Sequence, residues 1–516
     1  MTRPDADVHG ARPTMAGLAA TMTVVAMGLG YSITAADPTI LSANISEVTA
    51  GLHMSPRTAS FVASLATLTL AAAVLGAGAL GDLNGMRRMF TVGLFGTIAF
   101  GVLAAAAPNV SVLIAARAGI GVAFAFLLGL SLALINAVFP PERRAAAIAL
   151  YLGTGFALTT PMPALGSVLA EQFGWRTGFL VAPVAALAAL AIVVRFVPET
   201  LRAPRRLDVV GLVLVAVALL ALVYGISELQ GGPRADAFVC IAAGAVAAVL
   251  FVVWEIRTPD PALDVRVFRS ARFNAALTAG ATFNFLTGGS TILFAFYLVT
   301  VRGASPAILG LLLVPATVLQ ALAATGSGRA ATRFGDRSVL IVGLLLLLAG
   351  LLTLTSLDEN TSLAILFVAI ALNAVGGAIV QTPQSTIMMS SAPPDLGGSV
   401  SAVKAAVGQA GYSLGPALFA LVGTGLFTQD AMRRLAGSDI SLAEAREAFR
   451  VAHGTSVAST GGSNIVDPQR AREVVEGATA SMVDAIHTLS LMMAAVPVIA
   501  IVLALVLLRP HSEQEL

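Results

Sequence analysis

Two residues of opposite charge stand inside long apolar runs: Asp37, followed by Pro38, and Arg117, followed by Ala118 and Gly119. A charge at the centre of an apolar helix costs roughly 2.5–3.5 kcal/mol even on a lenient insertion scale. Each residue must therefore face a cavity or a partner. A carboxylate beside a guanidinium is stabilised in its ionised form, so the pair binds and releases a proton according to how closely the two groups approach. A second reading stays open: Asp37-Pro38 ends the first helix at the outer interface, and Arg117 snorkels outward.

Other chemistries find little material. Cys240 is the sole cysteine, which excludes an intramolecular disulfide and a cysteine-ligated metal. His9, His53, His453, His487 and His511 are scattered, with no pair at metal-ligand spacing. Of 30 basic residues only Lys404 is a lysine, and it lies between Val403 and Ala405. A phosphate-cradling loop needs Gly-Lys-Ser/Thr, so no site for ATP is expected. Nothing points to an enzyme, a metal or an organic cofactor, and uphill work would draw on an ion gradient.

The elements that position Asp37 and Arg117 follow from composition. Of 516 residues, 57% are hydrophobic and 11% charged, and mean hydropathy is +0.88. Soluble domains carry about 25% charged residues, so a polytopic membrane protein embedded in a lipid bilayer is the reading. Runs long enough to span occur near 15–42, 59–80, 90–107, 110–139, 145–169, 178–197, 209–227 and 237–256. Six more lie near 274–300, 307–326, 338–356, 362–387, 398–427 and 482–508, making fourteen. The first run has no short hydrophobic core ending in a cleavage site and is expected to be retained. Arginines cluster in alternate short loops (Arg87, Arg88, Arg143, Arg144, Arg205 and Arg206 among them), whereas the intervening loops hold Arg57, Arg176, Arg234 and Arg302. That bias puts both termini in the cytoplasm and explains the net charge of +2 without nucleic acid as a partner. A long outer loop at 428–481 is expected to hold a helix over Ser441–Val451, with Asp467-Pro468 opening another.

Gly78-Ala-Leu-Gly-Asp82-Leu-Asn-Gly85-Met-Arg87-Arg88 follows the second run. A weaker copy, Gly328 to Arg333-Phe-Gly335-Asp336-Arg337, follows the tenth. Two six-helix halves with two helices inserted between them account for that separation. The expected units are 1–197, the inserted 198–272, and 273–516. With this loop, Asp37-Pro-Thr-Ile, Arg117-Ala-Gly-Ile-Gly121, Gly174-Trp-Arg176, Leu207-Asp208…Gly211 and Pro261-Ala-Leu-Asp264 in order, the chain resembles the major facilitator superfamily, in particular its fourteen-helix drug:proton antiporters.

The resemblance implies an all-α major facilitator fold with fourteen transmembrane helices, acting as a monomer in the inner (cytoplasmic) membrane. It implies Asp37 and Arg117 as adjacent proton-coupling residues. Gly78, Asp82, Gly85, Arg87 and Arg88, with Arg333 and Asp336 in the copy, would form a latch between halves, with Arg87 and Arg88 alternatively serving as topology anchors. Leu83 stands where the family has arginine after the aspartate, so Asp82 needs another partner. Pro161, Pro163 and Gly166 in the fifth span and Gly415-Pro416 in the thirteenth would be hinges. Met162 replaces the glycine of the family's antiport motif, which weakens antiport against symport.

The expected cavity wall comprises Tyr31, Phe124, Phe126, Asn284, Gln320, Asn373, Gln381, Lys404 and Gln409. Gln320, Lys404 and Gln409 stand where similar exporters of cationic drugs carry carboxylates. Lys404 is therefore either an anion contact or a lysine that snorkels to the cytoplasm. The expected function is proton-driven export of a hydrophobic or amphiphilic small molecule. The alternatives are a lipid transporter on the same scaffold and a non-transporting scaffold or sensor that displays the outer loop.

Overall fold

Helices account for every regular element of the described residues in a computed structural model, which describes residues 17–54, 56–200, 202, 208–229, 235–258, 265–304, 307–392, 397–435 and 468–508. Seven helices build the first half: α1 (Gly17–Leu52), α2 (Pro56–Asn84), α3 (Met86–Ala105), α4 (Val110–Val138), α5 (Pro141–Thr159), α6 (Pro161–Phe173) and α7 (Val181–Phe196). Here α5 and α6 are the two parts of one span. The break falls at Thr160, where Pro161 and Pro163 cannot donate to the carbonyls four residues back. The inserted pair is α8 (Val209–Glu228) and α9 (Ala235–Arg257). The second half holds α10 (Ala271–Phe296), α11 (Ala307–Phe334), α12 (Asp336–Leu354), α13 (Leu363–Ser390), α14 (Gly397–Leu435) and α15 (Pro468–Leu507).

Among the described residues, thirteen helical stretches are long and apolar enough to cross a membrane. The remaining expected span is α10, whose Asn284, Thr282, Thr287 and Ser290 dilute its hydropathy. It runs 26 residues, about 39 Å at 1.5 Å per residue, and packs against α13, α14 and α15. A helix enclosed by other helices need not be as apolar as one bathed in lipid.

Two helices outrun their expected ends. Instead of stopping near residue 42, α1 continues through Pro38 to Leu52, so the proline does not end it. The expected outer loop is shortened by α14, which reaches Leu435, while α15 begins at Pro468, where the Asp467-Pro468 pair predicts a helix start. Beyond the bilayer a helix no longer needs apolar residues, so hydropathy misses its last turns. Arg434 bridges Asp430 on its own helix and Asp484 on α15, tying the α14 extension to α15. The helix expected over Ser441–Val451 lies outside the described residues.

The halves meet along two seams, α2 with α14 and α5 with α11. On the α5–α11 seam, an added Cβ at Gly328 would come within 3.1 Å of the Ala145 carbonyl. The inserted pair packs on itself and touches α2 and α14, covering the other seam. Asp208 caps α8 by accepting from Gly211 N (2.9 Å) and accepts from the Trp254 indole of α9 (2.9 Å). Such a cap contributes about 1 kcal/mol.

The repeated loop has the same geometry twice. Gly85 (φ 100°) and Gly335 (φ 82°) both adopt the left-handed region in which glycine is free of Cβ strain. Each donates its helix's last bond, from Gly85 N to Gly81 O and from Gly335 N to Ala331 O, both at 2.9 Å.

Candidate functional site

Arg117 lies two turns inside α4 and is fully buried. Its Nη1 donates to Oδ2 of Asp37 at 2.6 Å, closing an ion pair between α4 and α1. Asp37 is 6% exposed. The remaining guanidinium nitrogens, Nε and Nη2, are buried without a hydrogen-bond partner among the described residues. The two charges thus depend on each other, through one contact, in an interior where an unpaired ion is costly.

One residue beyond Asp37 a cavity of about 280 Å³ begins, with Pro38 and Thr39 on its wall. It is lined by α1, α2, α4 and α5 of the first half and by α10, α11, α13 and α14 of the second. The site therefore sits between the halves, beside the ion pair.

Of the expected wall residues, Tyr31, Asn284, Gln320, Gln381, Lys404 and Gln409 line the cavity. Three do not. Phe126 is about 200° around α4 from Leu128, which does line the cavity, and packs instead against Gly93 of α3. Phe124 is enclosed in the core, 1% exposed. Asn373 lies behind the wall, donating to Ser290 Oγ (3.1 Å) and accepting from Thr287 Oγ1 (3.3 Å). It joins α13 to α10 as Arg117 joins α4 to α1, with a neutral amide in place of an ion pair.

The cavity also includes residues not singled out from sequence: Thr34, Tyr151, Phe156, Thr317, Ser401 and Tyr412. Tyr31 meets Tyr151 and Phe156 edge-to-face, with centroids 5.9 and 5.4 Å apart. A signal for the tyrosines was present. All five tyrosines of the chain fall within expected spans, where a phenol hydroxyl needs polar company, and only the fold separates Tyr31, Tyr151 and Tyr412 at the cavity from Tyr224 and Tyr297.

The expected latch residues divide. Gly78 and Asp82 are buried at the end of α2, and Asp336 opens α12. Arg87 turns to its own half: its Nη2 donates to Val194 O of α7 at 2.8 Å, and its backbone N to Glu199 Oε1 at 3.2 Å. Thr200 Oγ1 accepts from Met86 N at 2.9 Å. Glu199 and Thr200 thereby satisfy the unpaired N–H groups that open α3, where a carboxylate also suits the helix dipole. Arg88 and Arg333 are exposed, Arg333 over the Phe334 ring at 5.2 Å. None of these three arginines bridges the halves among the described contacts, because a bond to the nearest carbonyl or ring is open to a short-tethered guanidinium at the surface. The hinge candidates mark close approaches. An added Cβ at Gly166 would come within 2.6 Å of Ile40, and one at Gly415 within 2.8 Å of Gly289 N. Pro416 lies against Gly288. No three His, Cys, Asp or Glu side chains among the described residues come together as metal ligands.

The sequence profile of the Major Facilitator Superfamily matches residues 23–416. The multidrug resistance protein Stp of Mycobacterium tuberculosis is 31% identical over 415 residues, covering 78% of this chain and 75% of its own length. The tetracenomycin C resistance and export protein of Streptomyces glaucescens is 29% identical over 406 residues, covering 78% and 75%. The multidrug efflux pump LfrA of Mycolicibacterium smegmatis is 29% identical over 422 residues, covering 80% and 82%. Among solved structures, a bacterial homologue of the human lysosomal transporter Spinster superposes with TM-score 0.56 at 17% identity, covering 96% of this chain and all of the other. The proton:xylose symporter XylE superposes with TM-score 0.55 at 14% identity, covering 92% and 94%. At such identities the likeness speaks for the fold.

Proposed function

Because the chain belongs to the major facilitator superfamily, we propose that this multi-pass membrane transporter exports hydrophobic or amphiphilic small molecules in exchange for protons. It works by alternating access, from an inner (cytoplasmic) membrane with both termini on the cytoplasmic side. The drug-efflux relatives support the substrate class. One observation carries the coupling: the buried Asp37–Arg117 ion pair abuts a cavity shared by both halves.

Ionised Asp37 neutralises Arg117. A proton taken up by Asp37 removes that neutralisation and leaves a buried cation, at a cost of about 3–5 kcal/mol when a buried pair is broken. Moving a two-state equilibrium from 1:99 to 99:1 takes about 5.5 kcal/mol. One protonation is therefore of the size needed to change which face of the cavity is open. Among the described residues, the corresponding contact of the second half, Asn373 to Ser290, joins two neutral side chains. Proton coupling is assigned to the first half, and the second half responds through the α2–α14 and α5–α11 seams. Arg87, Gly85 and Glu199 hold the cytoplasmic ends of α3 and α7 together, so the first half moves as a body. The proline break at Thr160 and the close approaches at Gly166 and Gly415 are where helices pivot. Compact aromatic amphiphiles suit the tyrosines, threonines and amides of the wall.

The test is reconstitution of the purified chain in proteoliposomes under an imposed pH gradient, with compounds screened for their ability to dissipate it. Wild type should exchange compound for protons, and Asp37→Asn should insert normally but carry no proton-linked flux. Undiminished exchange in that variant overturns the coupling assignment.

A further inference from the structure

The charge on the cavity wall is of one sign. Among the described residues that line it there is no aspartate or glutamate, and the one basic side chain is Lys404, the sole lysine of the chain. Asp37 and Arg117 are not on the wall and neutralise each other. The Lys404 side chain is half-buried, and its ammonium makes no hydrogen bond or ion pair among the described residues. An ion partly withdrawn from water without a partner is costly to keep, and a ligand of opposite charge would offset that cost.

The surroundings leave the ammonium uncovered. A helical side chain lies over the turn N-terminal to its own Cα, so residue 408 would cover residue 404. It is glycine, and Asn284 Nδ2 stands only 3.2 Å from where a Cβ would be. Gln381, Gln320 and Gln409 supply neutral amides that donate to an anion as readily as they accept. The same wall includes Tyr31, Tyr151 and Phe156, whose edge-to-face cluster offers ring surface to a flat apolar body.

We propose that this cavity recognises aromatic organic anions, carboxylates or phenolates attached to a planar ring system, with Lys404 as their counter-charge and a specificity-determining residue. The assignment rests on the reading of this cavity as the substrate site, and it goes further by fixing the sign of the substrate's charge. Cationic aromatic compounds are excluded by the same group that attracts anions.

The test uses three probes on one ring system, β-naphthoate, β-naphthamide and β-naphthyltrimethylammonium, in equilibrium binding to the purified full-length chain in nanodiscs near pH 7. Wild type should bind naphthoate about tenfold or more tighter than either other probe. Lys404→Gln should lose about tenfold for naphthoate and change naphthamide by less than about twofold, the naphthamide value showing that the cavity is intact. Lys404→Arg should stay near wild type, and Lys404→Glu should shift preference to the ammonium probe. Equal or tighter binding of the ammonium probe to wild type, no binding of any probe, or naphthoate binding indifferent to Lys404→Gln would each overturn the proposal. Asp37→Asn in the same assay separates this from the transport reading. Retained, Lys404-dependent naphthoate binding without proton exchange in wild type defeats the coupling reading and leaves anion recognition standing. Asp37-dependent exchange of other compounds without Lys404-dependent naphthoate binding does the reverse.

Discussion

Arg87 and Arg337 make the same bond in the two halves of the chain. Each lies two residues after a left-handed glycine, and each donates Nη2 to a backbone carbonyl in the last helix of its own half, Val194 O at 2.8 Å and Leu505 O at 2.9 Å. The internal repeat is thus carried in side-chain contacts as well as in topology. It assigns the repeated loop a first task of fastening the third helix of each half to its sixth.

Replacing either arginine with alanine should therefore lower stability by about 1 kcal/mol, the net value of a partly exposed hydrogen bond from a charged donor. The double variant should lose the sum, because the two bonds share no partner. Thermal unfolding in detergent measures this, and a double variant no worse than either single one would contradict the two-staple reading.

The glycines of the same loop should differ in tolerance. An alanine at Gly85 or Gly335 meets the backbone penalty of the left-handed region, about 1–2 kcal/mol. At Gly85 the new methyl would also come within 2.6 Å of Glu199 Oε1, whereas at Gly335 nothing lies within 4 Å. Gly85→Ala should therefore unfold at the lower temperature of the two. The opposite order would mean that Glu199 moves aside freely.

The buried ion pair predicts a rescue. Arg117→Gln leaves the Asp37 carboxylate without its cation, and Asp37→Asn leaves a buried guanidinium, so each should destabilise, by up to about 3–5 kcal/mol. The double variant removes both charges and should recover much of the loss. None of the three should couple flux to a pH gradient. Rescue seen in unfolding but absent in proteoliposome flux would separate the structural role of the pair from its part in proton coupling.

On the turn between α12 and α13, the Thr361 hydroxyl hydrogen bond to Oδ1 (2.7 Å) and then the Asn360 backbone N–H hold the Asp358 carboxyl below its usual range. A lowered native pKa means stability that is complete above the unfolded value and lost as pH falls through the native one. Thr361→Val should leave stability near neutral pH below wild type and flatten the acid limb under about pH 4. Unfolding temperatures recorded across that range check the sign. A wild-type profile with no acid limb would exclude the contribution.

Hydropathy, charge and a few glycines were enough to place the fourteen spans and the repeated loop, because each depends on residues close in sequence. A span must bury some 20 consecutive residues whatever surrounds it, and a left-handed turn needs glycine locally. That Asp37 and Arg117 each needed a partner was legible for the same reason, since the cost of an isolated charge in a membrane does not depend on the rest of the fold. Tertiary structure decided what depends on helix rotation and on which helices adjoin. Phe126 faces α3 because it is half a turn from Leu128. Asn373 serves a hydrogen bond behind the wall, and Tyr151 and Tyr412 converge from helices more than 250 positions apart. Arg87 could have reached for either half by sequence, and the nearness of the Val194 carbonyl settled it. Helix ends also escaped, as in α1 and α14, because outside the bilayer water meets unpaired backbone groups and the apolar signal stops before the helix does, whereas the start of α15 was legible from its proline.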